Sequence, residues 1–155
     1  MKIEVWGNAT WYLFHTLAHK LKDEYKTEVP ILYDFILQIC HNLPCPSCKE
    51  HAKSYLKNVN KSYVTSSKEH LINFLLKFHN DVNIRLKKST FSKEQLTELY
   101  SKASVYKIVM NFLNIMSENI QNFKMMAANS RRKICINTFK TYILKNHYKY
   151  IQNGI

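Results

Sequence analysis

The sequence predicts an all-α protein. Only 2 glycines and 3 prolines occur in 155 residues, too few for the tight turns of β-sandwiches or the glycine-rich loops of nucleotide-binding α/β folds. Hydrophobic residues make up 46% of the chain, so it can bury a core and wholesale disorder is excluded. The length corresponds to one domain, or to a small domain with an appendage.

Three helices are predicted in the first third of the chain. Apolar residues recur at spacings of three and four over residues 6–22, which predicts an amphipathic helix. Pro30 opens a second helix, which continues until Pro44 forces a break. The third helix spans about residues 45–56, with Pro46 in its first turn, where a missing N–H costs nothing.

Two further helices follow a polar segment. Residues 54–67 are polar and predict a helix end and a loop, after which Ser66 to Glu69 resembles a capping box. A long apolar stripe predicts a fourth helix over about residues 67–87, and a short fifth helix is expected over about residues 92–101.

The composition changes near residue 102, and we predict a domain of residues 1–101 followed by a basic helical extension of residues 102–155. Residues 101–155 hold nine basic side chains and one acidic one, a net charge of +8, whereas residues 1–100 carry +4. Helical spacing of apolar residues from Val105 to Phe123, and again from Cys135 to Ile143, predicts two helices here.

Two of the four cysteines form a CxxC pair, Cys45 and Cys48. In a reducing compartment such a pair indicates redox chemistry or metal binding, although two buried structural cysteines are the simpler interpretation. The start of a helix favours a thiolate over a thiol, and a thiolate is the species that exchanges with disulfides. We therefore expect Cys45 and Cys48 to be catalytic.

Zinc binding is an alternative for the same segment. Cys45, Cys48 and His51, with Cys40 or His41, could supply four nitrogen and sulfur ligands. No second CxxC motif accompanies them, and we predict no metal site.

A second set of residues indicates a planar cofactor. Trp11 and His15 are four residues apart on the first helix, as are His79 and Asn83 on the fourth, so each pair shares one helix face. Aromatic rings flank planar cofactors, amides bind their polar edges, and cations meet a pyrophosphate. Each residue taken singly has a structural explanation as core or solvated surface; the combination favours a cofactor site.

The motifs resemble those of a known family. The segment from Trp6 to Thr16, Leu-Pro-Cys-Pro-Ser-Cys at 43–48 and His-Asn-Asp-Val-Asn at 79–83 occur in this order. They resemble the Erv/ALR family of FAD-linked sulfhydryl oxidases over about residues 5–100, in particular the short members encoded by large cytoplasmic DNA viruses.

The resemblance implies a four-helix bundle with a short fifth helix, FAD at the bundle mouth and pairing as a homodimer. Cys48 would be the flavin-proximal sulfur and Cys45 the distal sulfur that exchanges with substrate. Electrons would pass from thiol-containing proteins, or a thioredoxin-like intermediary, through this pair to FAD and then to O2, giving hydrogen peroxide. The implied FAD-binding residues are Gly7, Trp11, His15, His51, His79, Asn80, Val82, Asn83, Arg85, Lys87, Lys88 and Tyr100.

The chain departs from the family in three ways. Asn8 stands where cellular members tend to have Arg, and no cysteines match the structural disulfide that staples the fourth helix in those enzymes. Cys40 lies on an apolar helix face and is expected to be buried and inert. Cys135 has no second cysteine beside it, so we expect it in the core rather than in a shuttle pair.

The main alternative function is nucleic-acid binding by a basic helical protein. Arg131, Arg132 and Lys133 run together, and tyrosines alternate with lysines over residues 140–150. No helix-turn-helix or RNP signature is present, so we predict that nucleic acid is not a partner. Because the start of the chain has no secretory signal and no segment is long and apolar enough to span a bilayer, a cytoplasmic location is expected, in the host cell or virion of a virus.

Overall fold

The computed structural model describes residues 1–152 and confirms an all-α fold. The α-helices in this part of the chain are α1 (Ile3–Lys20), α2 (Val29–Cys40), α3 (Pro46–Lys57), α4 (Lys61–Val64), α5 (Lys68–Arg85), α6 (Lys93–Ser101), α7 (Val105–Met116) and α8 (Met126–Asn146). Three short 3-10 helices lie at Asp23–Glu28, Phe123–Met125 and His147–Lys149.

Local signals set most of the helix starts. Pro30 lies in the first turn of α2, and Pro46 in that of α3, as predicted. The Cys45 side chain caps α3 by accepting a hydrogen bond from the backbone N–H of Cys48. A capping box of Ser92 and Gln95 begins α6, satisfying N–H groups that have no partner inside the helix. The point where each of these helices begins is therefore determined by residues within a few positions of it.

The predicted capping box from Ser66 to Glu69 is wrong. Ser67 is the N-cap of α5 and accepts from the backbone N–H of His70 at 3.0 Å. The Ser66 hydroxyl instead donates to the carbonyl of Tyr63 at 2.7 Å. The physical reason is the short helix α4 just before it, in the segment predicted as a loop, because Ser66 is used to close that helix.

Helices α1, α2, α3 and α5 form the bundle, and α6 is the short fifth helix beside α1 and α5. Their buried faces meet in one apolar core that includes Phe14, Leu17 and Phe78. Tyr55 of α3 stacks on Phe78 of α5, with ring centroids 4.5 Å apart. Burial of these side chains is the main force that holds the helices together.

The extension forms the two predicted helices, and both pack on the bundle. Helix α7 lies along α1, and α8 lies against α2 and α7. Phe112 and Phe139 are fully buried and meet edge to face, with centroids 5.8 Å apart. Their side chains belong to the same core as the bundle residues. The division at residue 102 stays a prediction.

The prediction that one helix carries the apolar residues from Val105 to Phe123 is wrong at its end. Helix α7 stops at Met116, and the side chain of Phe123 is 87% exposed. The chain has to reverse here so that α8 can pack against α7. Asn129 holds this reversal by bonding both the N–H and the carbonyl of Ile120, at 3.2 and 2.9 Å.

The last turn of the described chain is tied to the start of the bundle. Leu21 and Tyr150 form an isolated β-bridge, and Lys149 lies 2.9 Å from the buried carboxylate of Glu28. The hydroxyls of Tyr142 and Tyr150 are 2.7 Å apart. Tyr142, Lys149 and Tyr150 are therefore engaged in internal contacts, whereas Lys140, Lys145 and Tyr148 of the same alternating segment are exposed.

The basic run of the extension is also divided by the fold. Arg131 and Lys133 are exposed, whereas Arg132 is buried. Arg132 donates to the carbonyl of Glu118 at 3.0 Å and to Oδ1 of Asn129 at 2.7 Å. The guanidinium therefore satisfies the backbone carbonyl of Glu118, just beyond the C-terminal end of α7, and also holds the Asn129 side chain of α8. Within residues 1–152, no helix is long and apolar enough to cross a membrane.

Candidate active site

The CxxC pair lies at the start of α3. Cys45 and Cys48 form a disulfide with their Cα atoms 5.2 Å apart. The sulfur of Cys45 accepts from the backbone N–H of Cys48 at 3.3 Å and lies 3.2 Å from the hydroxyl oxygen of Ser47. Hydrogen-bond donors and a helix N-terminus both stabilise negative charge. When the disulfide opens, they would therefore stabilise the thiolate of Cys45.

A cavity of about 410 Å³ lies beside the disulfide. Cys48 is part of its wall, whereas Cys45 is not among the lining residues. The wall is mainly aromatic and aliphatic, and Arg85 and Lys88, both exposed, lie at its rim. None of the described residues that line it is acidic. Its volume is typical of small-molecule sites, and its chemistry suits a flat, negatively charged ligand.

The floor of the cavity is a stack of rings from α1 and α5. Trp11 and His79 are almost parallel, with centroids 4.1 Å apart and 6° between their planes. His15 lies behind them, fully buried, with its Nε2 2.9 Å from Nδ1 of His79. Tyr100 of α6 stacks on His15 at 5.0 Å. Nδ1 of His15 is buried and has no hydrogen-bond partner within the described chain.

The two histidines are neutral at physiological pH. Burial, followed by the charge of Lys88, lowers the pKa of His79 to about 4. Burial, followed by the neighbouring His79 and His19, lowers the pKa of His15 well below its ordinary value. Because both rings are neutral, one ring N–H can donate to the lone pair of the other across the 2.9 Å contact.

The end of α5 directs the chain toward the cavity. The N–H of Lys88 donates to the carbonyl of Asn83 at 2.8 Å, and that of Lys87 donates to the carbonyl of Ile84 at 3.1 Å. This is a Schellman motif, which requires a left-handed residue. Lys87 supplies it with a φ of 55°. Lys87 is outside the cavity wall, and its turn brings Lys88 and Ser89 to the rim.

Two asparagines of α5 hold the following loop. Asn80 donates to the carbonyl of Phe91 at 2.9 Å and accepts from its N–H at 2.8 Å. Asn83 donates to the carbonyl of Ser89 at 3.1 Å. Ser89 and Phe91 line the cavity, whereas Asn80 itself does not. The amides therefore shape the cavity partly through the backbone of this loop.

A histidine and an aspartate meet between α3 and α5. Nε2 of His51 lies 3.1 Å from Oδ2 of Asp81. His51 lines the cavity one helical turn after Cys48. The residues predicted from sequence do not include Asp81, and no local pattern indicates it, because its partner is thirty positions earlier in the chain.

The structure brings most of the predicted site residues to one place, although it does not test their roles. Ten of the fourteen line the cavity: Gly7, Trp11, Cys48, His51, His79, Val82, Asn83, Arg85, Lys88 and Tyr100. Cys45 is bonded to Cys48, His15 contacts His79, and Asn80 holds the loop. Lys87 is outside the cavity wall and occupies the left-handed position of the turn after α5.

The other two cysteines are buried thiols, as predicted. Burial, with a smaller contribution from Cys135, raises the pKa of Cys40 to about 12. Burial raises the pKa of Cys135 to about 11. Both stay protonated at neutral pH, and a thiol is a poor nucleophile compared with a thiolate. Over residues 1–152, no group of three or more His, Cys, Asp or Glu side chains is arranged to hold a metal ion.

A helical bundle that presents a disulfide beside an aromatic, cationic cavity defines a class of protein suited to thiol–disulfide redox chemistry. The chain belongs to the Erv1/Alr family, whose model matches residues 8–101. No solved structure matched the chain.

Three viral relatives illustrate the similarity. Proteins of invertebrate iridescent viruses 3 and 6, provisionally named FAD-linked sulfhydryl oxidases, are 33% and 36% identical over 63% and 54% of this chain. The FAD-linked sulfhydryl oxidase of African swine fever virus (isolate Pig/Kenya/KEN-50/1950) is 29% identical over 63% of this chain. The matched segments span 66%, 81% and 82% of these relatives, so the first is covered over slightly less than two thirds of its length.

Proposed function

We propose that this chain is an FAD-dependent sulfhydryl oxidase that makes disulfides in substrate proteins. Electrons pass from substrate thiols to the Cys45–Cys48 disulfide, then to FAD and finally to O2, giving hydrogen peroxide. The observation that carries the proposal is the position of Cys48, which is bonded to Cys45 and also lines the cavity. The family membership and the printed names of the viral relatives support the same activity.

The cavity residues fit FAD. The parallel rings of Trp11 and His79 offer a flat apolar surface for a planar ring system. Arg85 and Lys88 line the cavity and can neutralise a pyrophosphate, and none of the described lining residues is acidic. Tyr100 lines the cavity and supplies a further ring for the adenosine portion, while His15, buried behind His79, holds the His79 ring through the contact between Nε2 and Nδ1.

When bound, FAD supplies the two-electron chemistry that no side chain offers. We propose that Gly7, Trp11 and His51 lie along the flavin, together with Val82. Asn80, Asn83 and Lys87 act mainly through the loop after α5, which positions Lys88 and the other wall residues.

The chain's own sulfurs perform the exchange steps. A substrate thiolate attacks the sulfur of Cys45, a bond forms between them, and the Cys45–Cys48 bond breaks with Cys48 leaving as a thiolate. A second substrate thiolate then attacks the mixed disulfide, which completes the substrate disulfide and releases Cys45. The N–H of Cys48 and the hydroxyl of Ser47 stabilise the Cys45 thiolate as it leaves.

This order assigns different roles to the two sulfurs. Cys45 is outside the cavity wall and is the distal sulfur, whereas Cys48 is in the wall and is the proximal one. Thiol-containing proteins or a thioredoxin-like intermediary are the proposed donors. Homodimer formation and a location in the host cytoplasm or virion stay predictions.

Oxygen uptake by the purified protein tests the proposal. We expect a yellow protein that consumes O2 when dithiothreitol is added and produces one hydrogen peroxide for each disulfide formed. Changing Cys48 to Ser should abolish uptake and retain the colour, while changing the buried Cys135 to Ser provides a matched control that keeps activity. A colourless protein that cannot take up FAD, or full activity in Cys48→Ser, would refute the proposal.

A further inference from the structure

The contact between His51 and Asp81 joins α3, where the Cys45–Cys48 disulfide lies, to α5, which supplies several residues of the cavity wall. Nε2 of His51 is 3.1 Å from a carboxylate oxygen of Asp81. A carboxylate accepts hydrogen bonds and donates none, so Nε2 carries the proton in this contact. In the neutral ring Nδ1 is then the atom with a free lone pair.

His51 is placed to exchange a proton with the sulfurs. It follows Cys48 by three residues on α3, so the two side chains are neighbours on one helix face, and both line the same cavity. Oxidation of a dithiol releases two protons as well as two electrons. The sulfurs account for the electrons, and a base near Cys48 favours the thiolate by holding the proton that this sulfur releases.

We propose that Asp81 is a positioning residue for thiol oxidation: it fixes His51 with its proton on Nε2, so that Nδ1 takes the proton that would otherwise sit on Cys48. This inference rests on the proposed function and names a residue and a role that the motif resemblance does not assign. His51 acts on the reacting sulfur, and Asp81 acts through His51.

Each of the two electrons and two protons of the substrate dithiol has a defined destination in the cycle. The substrate gives two electrons and two protons as its disulfide forms and the Cys45–Cys48 bond breaks. One proton ends on Cys45 and the other on Nδ1 of His51, which leaves Cys48 as the thiolate. When the Cys45–Cys48 bond forms again, the two sulfurs release an electron pair and both protons, which FAD would accept when bound and pass to O2 as hydrogen peroxide.

Other charged groups share this region and define the controls. Tyr55 faces Asp81 from α3, and burial, followed by the Asp81 charge, raises the pKa of Tyr55. His79, Arg85 and Lys88 line the same cavity from α5 and the loop after it. Glu50 adjoins His51 in sequence, is exposed, and pairs with Lys53 at 3.5 Å. Removing the Glu50 charge therefore tests electrostatics without touching the His51 contact.

The test compares Asp81→Asn with Glu50→Gln in the full-length protein. An amide can donate to Nε2, so Asp81→Asn should move the ring proton of His51 to Nδ1 and block that atom. Nitrogen-15 NMR of the histidine rings reads this tautomer directly and requires neither FAD nor O2. We also expect oxygen uptake to fall by about a hundredfold in Asp81→Asn, with FAD binding retained and with Glu50→Gln unchanged in both measurements.

Two further variants separate positioning from packing. Asp81→Glu keeps a carboxylate and should restore most of the uptake and the Nε2–H tautomer. His51→Gln should lose as much uptake as Asp81→Asn, which keeps the test valid if Asp81→Asn does not fold. An Nε2–H tautomer that persists in Asp81→Asn, or uptake within twofold of the parent in folded Asp81→Asn or His51→Gln, would overturn the inference. A parent protein that binds no FAD would refute the proposed function instead, and the tautomer would still decide the role of Asp81.

Discussion

Nε2 of His15 lies 2.9 Å from Nδ1 of His79, and this contact joins α1 to α5 beside the cavity. His79 is part of the cavity wall and stacks on Trp11, whereas His15 is fully buried behind it. Two neutral rings are compatible with this contact, and two charged rings are not, because like charges this close in a buried site repel strongly.

The first prediction concerns stability at acidic pH. The pKa of His79 is about 4 in the folded protein against an ordinary value of 6.5. Between these two pH values the unfolded chain binds more protons than the folded chain. Neutral His79 therefore makes its full contribution to the free energy of unfolding above pH 6.5, and this contribution is lost as the pH falls toward 4. We expect roughly 3 kcal/mol to be lost over this window.

Denaturant unfolding at a series of pH values measures this loss. His79→Gln should show a shallower pH dependence than the parent, because the titrating ring is gone, whereas His147→Gln, on an exposed residue, should match the parent. If the free energy of unfolding depended on pH in the same way in the parent and in His79→Gln, the claim that His15 and His79 form a neutral pair would be contradicted.

The second prediction separates two adjacent lysines. Lys87 has a φ of 55°, which costs a non-glycine residue about 1 kcal/mol. Lys87→Gly should therefore raise the free energy of unfolding by about 0.5–1 kcal/mol and leave FAD affinity unchanged. Lys88 lines the cavity, so Lys88→Ala should leave stability unchanged and raise the FAD dissociation constant about tenfold.

Chemical denaturation and flavin fluorescence titration check the two lysines side by side. A loss of FAD affinity in Lys87→Gly larger than that in Lys88→Ala would show that the assignment is reversed.

The third prediction tests whether the extension is part of the core. Phe112 is fully buried, while Phe123 is 87% exposed. Phe112→Ala should lower the free energy of unfolding by about 3–5 kcal/mol, since it leaves a cavity between α7 and its neighbours. Phe123→Ala also removes a phenylalanine side chain, but from the surface, and should change the free energy of unfolding by less than about 0.5 kcal/mol. Equal effects in a thermal unfolding experiment would contradict the packing of α7 on the bundle.

The sequence predicted those features that local chemistry determines. Pro30 and Pro46 mark helix starts because the missing N–H of proline is tolerated in the first turn. The apolar spacing along α1, α5 and α7 follows from one buried face per helix. The motif residues Trp11 and His79 were predicted to share a site, and the structure stacks them.

The remaining features depend on contacts between distant parts of the chain. Phe123 continues the spacing of α7 but is exposed, because the chain reverses between α7 and α8, where Asn129 bonds Ile120. The pairing of His51 with Asp81 requires α3 and α5 to be side by side, which no single segment encodes. The left-handed turn at Lys87 gives no signal, since glycine and asparagine are the residues that usually mark it.

The central claim is that electrons from a substrate reach FAD through the sulfur of Cys48. Anaerobic mixing of the FAD-loaded protein with dithiothreitol tests it most directly, because flavin bleaching is then observed without turnover. The account predicts rapid bleaching in the parent and in Cys135→Ser, and persistent yellow colour in Cys48→Ser. Bleaching of Cys48→Ser at the rate of the parent would contradict it.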